Sequence, residues 1–180
     1  IKKERKKRGK RNLSVCKKAK EQEKVNPLLD YDTAIELYRL GNTAEALELV
    51  NRSIKDLQAE NAIPPAGYYR LKYEINYNTG QLTDSCEELD LAISQYSDFV
   101  DLHFYRGIAL MQLKRFRDAI KEFTYCILLG EDNEAYLIRN GSGSFLAYYY
   151  MGKAYYEMGE TETACESYKQ ALLYNKDLIL

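Results

Sequence analysis

Tryptophan is absent from this 180-residue chain, histidine occurs once, and proline occurs three times. One histidine, His103, cannot build a histidine-rich metal site. The four cysteines, Cys16, Cys86, Cys126 and Cys165, form no Cys-x-x-Cys pair. A zinc site with ordinary ligand spacing is therefore unsupported, and no metal ligand is assigned. No apolar run is long enough to span a bilayer. No signal peptide can be read at the front, and the chain starts at Ile1 rather than Met, so a piece of a longer protein is expected. No convergent acid–base set is visible. No catalytic residue and no cofactor are assigned.

What is present is abundant tyrosine, 17 residues, and a lopsided charge. The stretch from Ile1 to Lys20 holds eleven Lys/Arg and one acid, Glu4, although the whole chain carries a formal charge of only -1. A basic run of this kind reads as a solvated linker, as a contact for an acidic partner domain, or as a nucleic-acid or membrane-surface contact. It contains no aromatic residue, which weighs against single-strand nucleic acid, where bases stack on rings. No nucleic-acid partner and no membrane span are expected. The cysteines fall mainly on apolar helical faces, where they act as small hydrophobes. They read as reduced, buried and intracellular, which places the chain in the cytoplasm.

The strongest signal is internal repetition. Gly107-Ile-Ala-Leu-Met-Gln-Leu-Lys-Arg-Phe-Arg-Asp-Ala119-Ile-Lys-Glu-Phe123 is echoed by Gly152-Lys-Ala-Tyr-Tyr-Glu-Met-Gly-Glu-Thr-Glu-Thr-Ala164-Cys-Glu-Ser-Tyr168. Glycine, alanine and an aromatic ring recur at the same internal spacing. Units of this length cannot bury an apolar face alone and must stack.

Four helix-turn-helix units can be laid out. The first covers 27–58, with Leu29, Thr33, Ala34 and Leu37 inward, a stop at Gly41, and Thr43 as the cap of a second helix carrying Ala46, Leu47, Val50 and Ile54. The second covers 65–97, with Tyr68, Leu71, Lys72 and Ile75 inward, a long turn at Asn78-Thr79-Gly80, then Ser85, Cys86, Leu89, Ala92 and Ile93. The third covers 99–130 and the fourth 144–178, the latter with Tyr148, Met151, Tyr155, Cys165, Ala171 and Leu172 inward. Ala119 follows Ser85 by one repeat period, but the step from Ala119 to Ala164 is eleven positions longer, so an inserted loop occupies 131–143. Residues 1–10 read as the basic linker and 11–25 as a capping helix with Leu13, Cys16 and Ala19 inward. Ala34, Ala46, Gly107, Ala119, Gly152 and Ala164 are the small residues that let paired helices approach, and a larger side chain there would overpack the crossing.

This pattern resembles the tetratricopeptide repeat, a helix pair of about 34 residues with a small residue in each helix and aromatics around them. The resemblance implies an all-α fold, a right-handed superhelical solenoid of about four helix-turn-helix repeats behind an N-terminal helix. Units three and four carry it most strongly. In unit two Lys72 and Ser85 replace the usual small residues. A narrower likeness lies in Arg11-Asn-Leu-Ser-Val-Cys16, Asn26-Pro-Leu-Leu, Asp101-Leu-His-Phe-Tyr-Arg-Gly107 and Gly141-Ser-Gly-Ser-Phe145. These look like the repeat region behind the catalytic domain of bacterial, mainly Gram-positive, family-2 glycosyltransferases. That likeness implies a noncatalytic scaffold module whose parent enzyme holds the chemistry elsewhere. The alternative is a free-standing regulator or assembly factor.

Three other features invite a site and have plainer explanations. Asp30-Tyr31-Asp32 matches an Asp-x-Asp metal motif, yet two residues on a helix diverge by about 200°. His103 has no carboxylate in its own motif. Gly141-Ser-Gly-Ser144 could offer N–H groups to an anion at a helix start, but a glycine loop with Ser144 as N-cap explains it as well.

The concave face is the candidate binding surface, because the first helices of such repeats line a groove. From unit one it takes Tyr31, Ile35, Tyr38 and Arg39. Unit two gives Tyr69, Tyr73, Asn76 and Tyr77. Units three and four give Phe104, Ile108, Met111, Tyr149, Lys153 and Tyr156. Tyrosine offers an apolar ring with a polar tip, which suits a half-wet binding surface. The competing reading is that these rings pack neighbouring repeats together. The implied partner is a peptide or protein: an acceptor, the catalytic domain of a parent enzyme, or a second protomer.

Overall fold

The computed structural model describes residues 8–16, 26–83 and 86–175. Their regular structure is helical, with no strand among the described residues. The helices are α1 (8–16), α2 (Pro27–Leu40), α3 (Thr43–Ala59), α4 (Ala66–Thr79), α5 (Cys86–Gln95), α6 (Val100–Gln112), α7 (Phe116–Leu129), α8 (Phe145–Glu157) and α9 (Thr161–Tyr174). The chain divides into two compact parts, residues 1–75 and 76–180, and the division falls inside α4.

In the first part, α2 packs on α3. Asn26 caps α2, its side-chain oxygen accepting from the amides of Leu28 and Leu29, with Pro27 at the first helical position. Gly41, at φ 92°, ends the helix in the left-handed conformation that glycine adopts freely. Ala34 and Leu37 of α2 and Ala46, Val50 and Ile54 of α3 are buried core residues. The expected Thr43 cap is corrected: Thr43 is already helical, and the cap position falls on Asn42, which makes no side-chain cap bond. Helix α1 docks through Asn12, whose amide donates to Glu36 at 3.1 Å, and through buried Gly9, which faces Leu40 and Glu36. Ala19 and the rest of the expected capping helix beyond residue 16 lie outside the described residues.

Helix α4 buries Tyr68, Leu71, Lys72 and Ile75, the four inward slots. It runs on through Thr79, so only Gly80 of the expected Asn78–Gly80 turn lies outside it. Ser85 lies outside the described residues, while Leu89 and Ala92 of α5 are buried.

In the second part, α5 packs on α6, α6 on α7, α7 on α8 and α8 on α9. The two hairpins α6–α7 and α8–α9 correspond position by position, with Phe145 standing where Val100 does and Thr161 where Phe116 does. Ala119, Phe123 and Cys126 are core residues of α7, and Ala164 and Ala171 are core residues of α9. The expectation that the cysteines are buried is corrected at Cys165, which is exposed, and at Cys16, which is half-buried. Cys165 sits about 100° around the helix from buried Ala164, which turns it off the apolar stripe. Cys126 is buried, its thiol donating to the Val100 carbonyl, and burial foremost pushes that thiol up.

Candidate functional site

The expected groove residues separate into wall and core. In the first part Tyr31 lies flat on Tyr68, ring centroids 3.9 Å apart and 9° from parallel. Burial raises both phenols, that of Tyr68 to about 12. Ile35 and Tyr38 are half-buried, and Arg39 is exposed and paired with Glu36 at 2.9 Å. Tyr69 and Tyr73 are 2% and 0% exposed, with ring centroids 6.5 Å apart. As placed, both are packing residues and offer no surface to a ligand.

In the second part Asn76 and Phe104 are buried as well. Other residues of this part come together around a cavity. Tyr77, Ile108, Met111, Phe116, Tyr150, Lys153 and Glu157 line a cavity of about 620 Å³. Its floor is organised by a pair of phenols, Tyr77 and Tyr150, whose hydroxyls lie 2.9 Å apart. Burial, then this bond, raises the Tyr150 phenol. Tyr149 and Tyr156 face a second cavity, of about 320 Å³, lined also by Lys153, Glu157 and Tyr168. Lys153 lies 5.8 Å from the Tyr149 ring centroid and 5.6 Å from that of Tyr150, within cation–π reach. The arrangement is apolar walls, paired phenols and two lysines, Lys114 and Lys153, which can take apolar and polar groups together.

Two neighbours of Tyr77 are not legible from spacing. Tyr150 falls outside the expected set, and its only signal is its place beside Tyr149. Arg139, inside the insertion, lies over the Tyr77 ring with its guanidinium carbon 4.7 Å from the centroid.

Asp101 and Glu131 hold the start and the end of the insertion together. Asp101, fully buried on α6, accepts from the Arg139 amide at 3.0 and 2.9 Å and from the Ser142 hydroxyl at 2.6 Å. Glu131 accepts from the Gly141 amide at 3.0 Å, the Gly143 amide at 3.1 Å and the Ser144 hydroxyl at 2.6 Å. A Cβ on Gly143 would sit 2.4 Å from the Gly130 carbonyl oxygen, so only glycine fits there. Two expectations are corrected by this. Ser144 occupies the cap position but gives its hydroxyl to Glu131 and makes no cap bond. The anion at the Gly141–Ser144 loop is the chain's own Glu131, placed beside the N-terminus of α8, where negative charge is favoured.

The remaining motifs are engaged internally. Asp30 is buried and takes Arg52 at 2.6 Å, while Asp32 is exposed. His103 does have a carboxylate partner, but from α7: Nδ1 lies 2.9 Å from Glu122, and Nε2 lies 2.9 Å from the Ser97 carbonyl. Among the described residues no three His, Cys, Asp or Glu gather as a metal site, and no helix is long and apolar enough to cross a membrane.

Helical hairpins closed by small residues, one after another, define an all-α repeat fold of the tetratricopeptide type. Residues 145–178 match the family model of the tetratricopeptide repeat. No curated protein matches the sequence. Among solved structures, one of the MamA protein is 18% identical with a TM-score of 0.74, covering 100% of this chain and 93% of that chain. MamA 41-end from Desulfovibrio magneticus RS-1 is 15% identical with a TM-score of 0.75, covering 96% and 88%. YrrB, described as a TPR protein with an unusual peptide-binding site, is 16% identical with a TM-score of 0.74, covering 95% and 80%. These likenesses establish the fold.

Proposed function

We propose that the chain is a noncatalytic protein-interaction module that holds a peptide segment of a partner in the cavity walled by Tyr77, Ile108, Met111, Tyr150 and Lys153. The observation that carries this reading is the cavity itself. It is large enough for several side chains, at about 620 Å³, and it joins apolar walls to a pair of phenol hydroxyls and two lysines, Lys114 and Lys153. The peptide-binding site of YrrB, a chain of the same fold, supports it.

Two settings for the module are supported by different observations. The eleven-residue insertion and Gly141-Ser-Gly-Ser-Phe145 support a place behind the catalytic domain of a bacterial family-2 glycosyltransferase, with the acceptor or that domain as partner. The match over most of the length of the solved MamA chains supports the alternative, a free-standing regulator or assembly factor. The cytoplasmic setting inferred from the cysteines belongs to either.

The test is selection of binders from a random displayed peptide library on the 180-residue chain. Peptides so obtained are expected to lose at least tenfold in affinity on a Met111→Glu variant with an unchanged melting temperature. Equal affinity for that variant, or no selected peptide, would reject the groove.

A further inference from the structure

The two phenols that meet in the 620 Å³ cavity are held in different ways. Tyr150 sits against Phe104 and Phe123, ring centroids 5.7 and 5.8 Å away, and both phenylalanines are fully buried. The core therefore sets its ring. Tyr77 is half-buried, with Phe104 and Tyr105 tilted against it at 6.1 and 5.9 Å. Its further neighbour is Arg139, whose guanidinium carbon lies 4.7 Å from the ring centroid. Arg139 stands outside the cavity's lining and reaches Tyr77 from the insertion. Its backbone is pinned on both sides. The amide donates to buried Asp101 at 3.0 and 2.9 Å, and the carbonyl accepts from the Ser142 amide at 3.2 Å. Asp101 lies one helical turn before Phe104 and Tyr105 on α6, so one helix carries both the anchor of Arg139 and the rings beside Tyr77.

We propose that Arg139 is a positioning residue of the peptide groove: from the insertion it holds the Tyr77 ring so that the paired hydroxyls of Tyr77 and Tyr150 are set before a peptide arrives. This rests on the groove reading given above and names what orders its polar floor. A planar guanidinium over a ring face restrains the tilt of the ring and keeps its charge at that place. A side chain ordered in advance loses little rotamer freedom when a ligand binds. The charge of Arg139 is also felt at the second phenol. Burial foremost raises the Tyr150 hydroxyl, and Arg139 opposes that rise. The insertion is then a working part of the groove and more than a spacer between two hairpins.

The test uses the 180-residue chain with ring-labelled tyrosine, read first with no peptide present. The carbon-13 Cζ resonances of Tyr77 and Tyr150 report phenol hydrogen bonding. Arg139→Met keeps a long side chain and removes the cation, and it is expected to move both resonances toward that of free tyrosine. Arg139→Lys restores a cation and is expected to bring them back toward the parent's. Peptides selected on the parent chain are expected to bind Arg139→Met roughly fivefold more weakly, the worth of about one cation–π contact, and Arg139→Lys to recover most of that loss. In a Tyr77→Phe chain the further change Arg139→Met is expected to cost less than about twofold, because the hydroxyl it positions is already gone. Unmoved Cζ resonances, equal peptide binding by Arg139→Met, or losses that simply add in the double variant would each overturn the proposal. Peptides lost on Met111→Glu but kept on Arg139→Met would leave the groove standing and reject Arg139. Peptides kept on Met111→Glu would reject the groove, while the Cζ resonances would still show whether Arg139 sets the phenol pair.

Discussion

The Cβ that Gly107 lacks would lie 2.5 Å from Cε1 of Phe123, so the ring of α7 rests directly on the backbone of α6. Tyr168 rests on Gly152 in the same way, with the missing Cβ 2.6 Å from its Cε1. The two contacts differ in what can yield. Phe123 is fully buried, whereas Tyr168 is half-buried beside an open cavity.

Gly107→Ala is therefore expected to destabilise by about 1–3 kcal/mol through overpacking, and Gly152→Ala by clearly less. Urea denaturation of both variants checks the order. Equal losses would mean that ring mobility does not set the cost.

Glu131 ties the start of the insertion to its end through three donors. Glu131→Gln keeps the shape but weakens charge-assisted bonds, and Glu131→Ala leaves amides unpaired, each costing about 1–3 kcal/mol. Limited proteolysis is expected to cut within 132–140 faster in both variants than in the parent. An unchanged digestion rate would show that Asp98 and Asp101 hold the loop without Glu131.

Asp98 gives the loop an acid-sensitive anchor. Its carboxyl accepts from the Tyr136 hydroxyl at 2.6 Å and from Asn133 at 3.0 Å, and the tyrosine bond foremost holds it below the usual carboxylate range. A depressed carboxyl contributes stability above its unfolded value and loses it as pH falls through the folded value. The anchor should therefore be intact at neutral pH and released only below the usual carboxylate range. Tyr136→Phe is expected to return the Asp98 titration, followed by carbon-13 NMR, toward that range. An unmoved titration would assign the shift elsewhere.

Tyr73 separates packing from binding. It is 0% exposed, and Tyr73→Ala is expected to cost about 3–5 kcal/mol, as truncation of a large buried ring does. Chemical denaturation measures it. A loss below about 1 kcal/mol would return Tyr73 to the surface.

The hairpin register is readable because it is local: Gly107 and Phe123, with Ala119 between them, can be placed on two helices by counting. The groove is only partly readable. Tyr73 and Tyr77 are one helical turn apart on α4 and carry the same side chain, yet one is sealed and the other is half-buried. A first helix in a stacked array meets neighbours on more than one side, and the helical period cannot tell a neighbour from solvent.

Sequence by itself determined the helices, their small-residue crossings and the place of the insertion, since each follows from spacing and residue size. Tertiary structure alone decided what long-range partners do. It put Arg139 over Tyr77, gave His103 the carboxylate of Glu122, and filled the Gly141–Ser144 amides with Glu131. Those pairings join residues far apart along the chain, where packing of whole helices, and no local rule of the chain, sets the distance.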